Sequence, residues 1–84
     1  MFYEKDGLKK DLIAKMKQAL INYENNVDTT NAGYNILRWA GQGLLVVKKD
    51  CEAEAGDMVM NWYPDKMAYV VLRMAKKGMI EVKE

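Results

Sequence analysis

Two stretches of this chain are almost alike: ILRWAGQGLLVVKK at Ile36–Lys49 and VLRMAKKGMIEVKE at Val71–Glu84. A shift of 35 positions superposes them, and seven of the nineteen positions from 31 to 49 are then identical. The identical pairs are Tyr34 and Tyr69, Leu37 and Leu72, Arg38 and Arg73, Ala40 and Ala75, Gly43 and Gly78, Val47 and Val82, and Lys48 and Lys83. This similarity predicts one supersecondary unit that the chain builds twice.

Each copy predicts a helix followed by a strand. Thr30 and Asp65 stand at equivalent positions and are typical helix N-caps, while Gly43 and Gly78 end the helices because glycine adopts left-handed backbone cheaply. The segment LLVV at 44–47 then predicts a buried strand, and MIEVK at 79–83 a half-exposed one. The expected apolar stripes are Gly33, Ile36, Leu37 and Ala40 in the first helix and Ala68, Val71, Leu72 and Ala75 in the second.

The segments before these two helices differ more. Residues 6–23 predict a long helix with Asp6 as its cap and one apolar face: Leu8, Leu12, Met16, Ala19, Leu20 and Tyr23. Residues 51–63 are ambiguous, because Asp50 could cap a helix there while Met58, Met60 and Trp62 also alternate as in a strand. We favour the helix, since it completes a repeat of helix, helix and strand.

These segments assemble into a small, helix-rich α+β fold. We expect one domain over residues 1–84, with repeat halves at about 6–49 and 50–84. The two short strands should pair antiparallel, and a pseudo-twofold axis should relate the halves. The half-apolar composition at this small size also makes a homodimer plausible.

Composition excludes several chemistries. The sequence has no His and one cysteine, Cys51, so a His-ligated zinc site, a His general base and an intramolecular disulfide are excluded. Glu52 and Asp50 flank Cys51, and acidic neighbours do not activate a thiol. No nucleotide-binding or calcium-loop motif is present. We therefore expect no catalytic residue, no cofactor and no metal site, and hence not an enzyme.

Charge and hydropathy indicate the class of protein. The net charge is +1, whereas dedicated nucleic-acid binders are usually more basic. The start MFYEKDGLKK lacks a signal-peptide pattern, and no apolar run approaches the ~18 residues of a membrane span, so we expect a cytoplasmic protein that does not use a membrane. Four lysines are expected at solvated ends of elements: Lys48, Lys49, Lys76 and Lys77.

One segment resembles a known DNA-binding family. DKMAYVVLRMAKKGMIEV at 65–82 is similar to the recognition helix and first wing strand of winged-helix domains, through Leu72-Arg73, the Lys77-Gly78 turn and the strand that follows. NAGYNILRWAGQGLLVV at 31–47 has a poorer version of the same pattern. The resemblance implies that one helix face meets nucleic acid, with four candidate residues: Lys66, Tyr69, Arg73 and Lys77.

Aromatic and Met side chains suggest a different role. Such residues are enriched at the centres of protein interfaces, and the candidate partner-binding set is Trp39, Met60, Trp62 and Tyr63. Trp39 also fits a core position, as does Met74, its equivalent in the second copy. The Tyr34–Arg38 and Tyr69–Arg73 pairs fit either partner contacts or local packing with a cation–π component.

Two functions remain open at this point. The first is a non-catalytic protein-interaction module, such as a small regulator or inhibitor. The alternative is a winged-helix-like, nucleic-acid-binding transcriptional regulator with a helix-turn-helix-like core. The near-neutral charge favours the first.

Overall fold

The computed structural model describes residues 2–62 and 64–84, with side chains from Lys9 onward except those of Tyr63 and Pro64. Within these residues, four helices and two strands follow the predicted order, which is helix, helix and strand in each half. They are α1 (Phe2–Glu24), α2 (Thr29–Gly41), β1 (Leu45–Val47), α3 (Glu52–Met60), α4 (Met67–Lys76) and β2 (Ile80–Val82), with 3-10 turns at Lys49–Cys51 and Pro64–Lys66. The α+β fold with helix, helix and strand in each half is confirmed, and residues 52–60 form a helix rather than a hairpin strand.

The helix ends next to the strands are equivalent in the two halves. Gly43 and Gly78 adopt left-handed backbone, with φ of 76° and 71°. Each glycine closes a Schellman motif, in which two amides after the helix bond back to carbonyls of its last turn. The bonds are Leu44 N to Trp39 O (2.9 Å), Gly43 N to Ala40 O (3.1 Å), Met79 N to Met74 O (3.0 Å) and Gly78 N to Ala75 O (3.0 Å).

The register of the sheet confirms the pseudo-twofold relation. β1 and β2 are antiparallel, and Val46 pairs with its own repeat equivalent, Glu81. A twofold rotation that exchanges Val46 and Glu81 also exchanges the two flanking residue pairs with each other. It likewise exchanges the two hydrogen bonds just beyond the strands. The pairs are Leu45 with Val82 and Val47 with Ile80, and the bonds are Lys48 N to Met79 O (2.8 Å) and Lys83 N to Leu44 O (2.9 Å). The local twofold axis therefore passes through the Val46–Glu81 pair.

The core lies between the helices and one face of this sheet. Ile36 and Val70 are fully buried. The predicted stripe of α4 is confirmed in part: Ala75 is buried and Val71 and Leu72 are half-buried against the core, whereas Ala68 is exposed. The prediction also left out Val70 and Met74, which are both buried. Since α4 is apolar over more than half its circumference, the sequence alone left the direction of the core undetermined.

The predicted N-caps are wrong. Asp28, in left-handed backbone with φ of 47°, caps α2 in place of Thr30, and no side-chain cap bond forms. Asp65 lies inside the 3-10 turn that starts at Pro64, whose fixed φ suits a first helical position. Asp6 lies within α1, and Asp50 lies within the 3-10 turn before α3. The N-cap positions of α2, α3 and α4 are Asp28, Cys51 and Lys66, and none of these side chains makes a capping hydrogen bond.

The two leading helices differ in length and in packing. α1 has 23 residues and packs against α2, α4 and β2, whereas α3 has nine residues and packs chiefly against α4. Met16 is the buried anchor of α1, with Ala19, Leu20 and Tyr23 half-buried beside the core, while Leu12 is more exposed. The side chain of Leu8 lies outside the described ones. No described helix combines the length and the hydropathy needed to cross a lipid bilayer.

Candidate interaction surface

An apolar surface lies where α3 turns into α4. Met60, the last residue of α3, is 86% exposed, and Val59 and Met67 are also exposed while Trp62 is half-buried. Two hydrogen bonds hold the end of α3: the Asn61 backbone amide and its side-chain Nδ2 donate to the Asp57 carbonyl at 3.2 and 2.8 Å. We call Val59, Met60, Trp62 and Met67 the apolar corner.

The predicted partner-binding set only partly lies on this surface. Trp39 is 3% exposed and belongs to the core, where it packs at the start of the first Schellman motif. Its assignment to a partner surface is therefore corrected, because a buried indole offers no contact area. Met60 and Trp62 lie at the corner, and Tyr63 lies outside the described residues. Val59 and Met67 also belong to this surface, although the predicted set included neither of them.

A basic stripe runs along α4 from the apolar corner. Lys66, Tyr69, Arg73 and Lys77 are all exposed and recur every three or four residues, so they share one side of the helix. We call these four residues the α4 stripe. The Lys66 Nζ lies 6.0 Å from the centre of the Trp62 ring, which joins the stripe to the corner. Lys77 is partly neutralised, since its Nζ lies 2.5 Å from the Glu54 carboxylate.

The duplicated Tyr–Arg pairs face solvent. Tyr34 is 71% exposed and Tyr69 64%, and both arginines are exposed as well. Arg38 donates to the Asn35 side chain at 3.0 Å. The cation–π contacts among the described residues involve lysines, so the local cation–π interpretation of the Tyr–Arg pairs is not supported. The pairs therefore present polar and aromatic surface to solvent.

The corner between α1 and α2 is closed by a side chain from the other half. Lys76, near the end of α4, donates from Nζ to the Tyr23 carbonyl at 2.9 Å and to the Asn26 side chain. The same ammonium lies 5.2 Å from the centre of the Tyr23 ring. A cation at this point also interacts favourably with the negative, C-terminal end of the α1 helix dipole. The prediction of a solvated Lys76 is therefore wrong, while Lys77 and Lys49 are exposed.

The remaining polar features offer little reactive chemistry. Partial burial, and next the negative charge of Asp50, raise the pKa of the Cys51 thiol, whose Sγ lies 3.6 Å from the Asp50 carboxylate. A raised pKa lowers the thiolate fraction and with it the nucleophilicity. Within the described residues, no three His, Cys, Asp or Glu side chains converge as metal ligands.

Three shallow grooves line the helices. One of about 250 Å³ lies between α2 and α4, with Tyr34, Leu37 and Leu72 in its wall. Those residues come from both halves and meet near the close approach at Gly33. None of the three grooves includes a residue of the apolar corner.

Comparison with known proteins finds no matching family model, no matching curated protein and no matching solved structure.

Proposed function

We propose that this chain is a non-catalytic protein-interaction module, a small regulator or inhibitor, that docks a partner protein on the apolar corner. The observation that carries the proposal is Met60, a large apolar side chain that is 86% exposed at the end of a helix. Exposed Val59 and Met67 lie within seven residues of it along the chain, as does Trp62, which is half-buried against the core, and exposed apolar surface of this kind is typical of interaction sites. Met suits such a surface because its flexible thioether adapts to a partner's shape.

The composition of the corner supports the same conclusion. Met and Trp are enriched in the centres of protein interfaces, and here Met60 and Trp62 stand two residues apart. The Lys66 side chain at the Trp62 ring supplies a polar rim next to this apolar centre.

A paired substitution tests the proposal. Met60→Lys should abolish capture of the partner from a lysate of the source organism, because a charge would be buried unpaired in the interface. Val27→Lys is the matched control: Val27 is also an exposed apolar residue, but it lies between α1 and α2. A partner that binds the wild type and both variants equally would remove the apolar corner as the docking site.

A second copy of the chain is the other possible occupant of the corner, and sedimentation separates the two cases. We expect a monomer at micromolar concentration, whose apolar corner is open to a different protein. A stable dimer that Met60→Lys dissociates would show that the corner serves self-association instead, and the proposed function would then be wrong.

Nucleic-acid binding is the second candidate function, and the α4 stripe favours it. Three cations and a tyrosine on one side of a helix suit phosphate contacts, which need little more than exposed Lys and Arg. Glu54 at Lys77 and exposed Asp65 beside Lys66 weaken the positive field there. A salt titration with random duplex DNA tests this candidate: a Kd weaker than about 100 μM at about 50 mM salt would exclude it.

A further inference from the structure

We infer that the partner segment carries at least two carboxylates beside its apolar anchor, and that Lys66 and Arg73 of the α4 stripe receive them. This inference rests on the proposed function, because it places the apolar anchor on the corner. It adds the partner's chemistry: an acidic, amphipathic protein segment that binds across the corner and then along α4.

Continuity of the two surfaces is the first support. The Lys66 ammonium lies 6.0 Å from the centre of the Trp62 ring, so a positive charge sits at the edge of the apolar corner. Met67, the next residue, belongs to the corner itself. A segment that seats an apolar side chain near Trp62 therefore brings its neighbouring residues to Lys66.

The charges of the α4 stripe indicate the sign of the charge that the partner carries. Within the described residues the ion pairs are Lys17–Glu84 and Lys77–Glu54, and Lys66 and Arg73 belong to neither. These two cations are seven residues apart, which corresponds to about 10 Å along a helix axis. A segment that follows the stripe therefore meets the two cations at separate points, and a carboxylate at each point would pair with both.

Tyr69 lies between the two cations and strengthens the case for a protein partner. It is 64% exposed, and exposed Tyr and Arg are the residue types that most often dominate protein interfaces. Asp65 beside Lys66 and Glu54 at Lys77 interrupt the positive charge of the stripe, so it offers separate cations rather than the continuous positive surface that a row of phosphates needs. The observations therefore favour an acidic protein segment over nucleic acid.

The internal repeat supplies a matched control. Arg38 and Tyr34 on α2 are the equivalents of Arg73 and Tyr69, with the same exposure class and the same Schellman motif after them. The corner equivalent to Met60 and Trp62, however, carries Asn25 and Val27 in the first half. Arg38→Gln thus removes the same charge from the same local structure, away from the apolar corner.

Selection of peptides tests the inference without knowledge of the natural partner. A displayed library of random dodecamers is selected against the full chain, and the enriched peptides are synthesised with a fluorescent label for anisotropy titration. We expect apolar residues together with two or more Asp or Glu. Arg73→Gln should weaken binding up to about fivefold, the effect of one exposed ion pair, and Arg38→Gln should leave it unchanged. Met60→Lys should weaken it more than tenfold.

Any other outcome of the peptide selection contradicts either the inference or the proposed function. Enriched peptides that lack acids but require Met60 leave the proposed function in place and overturn the inference. An equal loss of peptide affinity in Arg38→Gln and Arg73→Gln has the same consequence. Peptides that bind Met60→Lys as tightly as wild type overturn the proposed function itself, and no enrichment overturns the inference. A random DNA duplex that binds more tightly than the peptides, and depends on Arg73 but not Arg38, assigns the stripe to nucleic acid.

Discussion

The corner between α1 and α2 and the corner between α3 and α4 occupy equivalent places in the two halves, yet they have opposite character. The first is mostly polar apart from exposed Val27, and Lys76 reaches across from α4 to the Tyr23 carbonyl. The second exposes Met60, and the position equivalent to Lys76 is Gly41, which has no side chain. The glycines kept in both halves build the shared turns, whereas the residues that differ at one corner are candidates for function.

The largest effect should come from the positions that both halves use for the core. Trp39 and Met74 are equivalent, and both are buried. Trp39→Ala should cost about 3–5 kcal/mol and Met74→Ala about 2–5 kcal/mol, because each leaves a cavity in the core. At roughly 0.05–0.15 kcal/mol per residue for natural proteins, either loss is a large fraction of the total stability. Urea denaturation followed by circular dichroism measures the free energy of unfolding.

Trp39→Met provides the control for this comparison, since it gives the first half the residue of the second. It should cost less than Trp39→Ala because the Met side chain refills part of the volume. If Trp39→Ala and Met74→Ala differ so much that one of them is nearly neutral, the two halves do not contribute equivalent core positions.

The next effect concerns the two Schellman glycines. Gly43→Ala and Gly78→Ala should each cost about 1–2 kcal/mol, because a Cβ disfavours left-handed backbone. The two costs should be about equal, because Gly43 faces open space and the new Cβ at Gly78 would meet only the carboxylate end of exposed Glu24, which can rotate away. A Glu24→Ala background should therefore leave the cost of Gly78→Ala unchanged in the same urea titration. A large difference between the two costs would indicate that the two motifs are not equivalent.

The sequence predicts the repeated parts well because their signals are local. Gly43 and Gly78, followed by β-branched residues, indicate both helix ends and both strands, and the equal spacing indicates the symmetric register. The N-caps fail because Pro64 and the left-handed Asp28 start helical backbone earlier than the capping pattern indicates. The burial of Trp39 and the exposure of Met60 depend on how α1 and α3 pack, which no local pattern specifies.

Lys76 is a contact that the sequence could not reveal. It links residues 50 or more positions apart, and the repeat itself offers no hint because its equivalent is Gly41. Only the pseudo-twofold arrangement brings the end of α4 to the end of α1. The same is true of the candidate site. The sequence shows which residues at the corner are apolar, but not which of them are exposed.

A smaller stability effect should come from breaking this contact. Lys76→Met keeps the alkyl stem but removes the ammonium that donates to the Tyr23 carbonyl and to Asn26. We expect a loss of about 1 kcal/mol, because a half-buried charged donor that meets two acceptors contributes more than an exposed ion pair. Hydrogen exchange should also be faster for the amides of the last turn of α1, since that end would open more often.

Lys77→Met is the matched control in the neighbouring position, because it removes an ion pair to Glu54 in which both side chains are about half exposed. Such a pair should contribute less than about 0.5 kcal/mol, and the loss should shrink further as salt is added. The cost of Lys76→Met should change less with salt, since its partners are a backbone carbonyl and a neutral amide. Equal costs for the two variants, with equal salt dependence, would mean that the first corner is as open as the second, and the contrast on which the functional assignment of the apolar corner rests would then be lost.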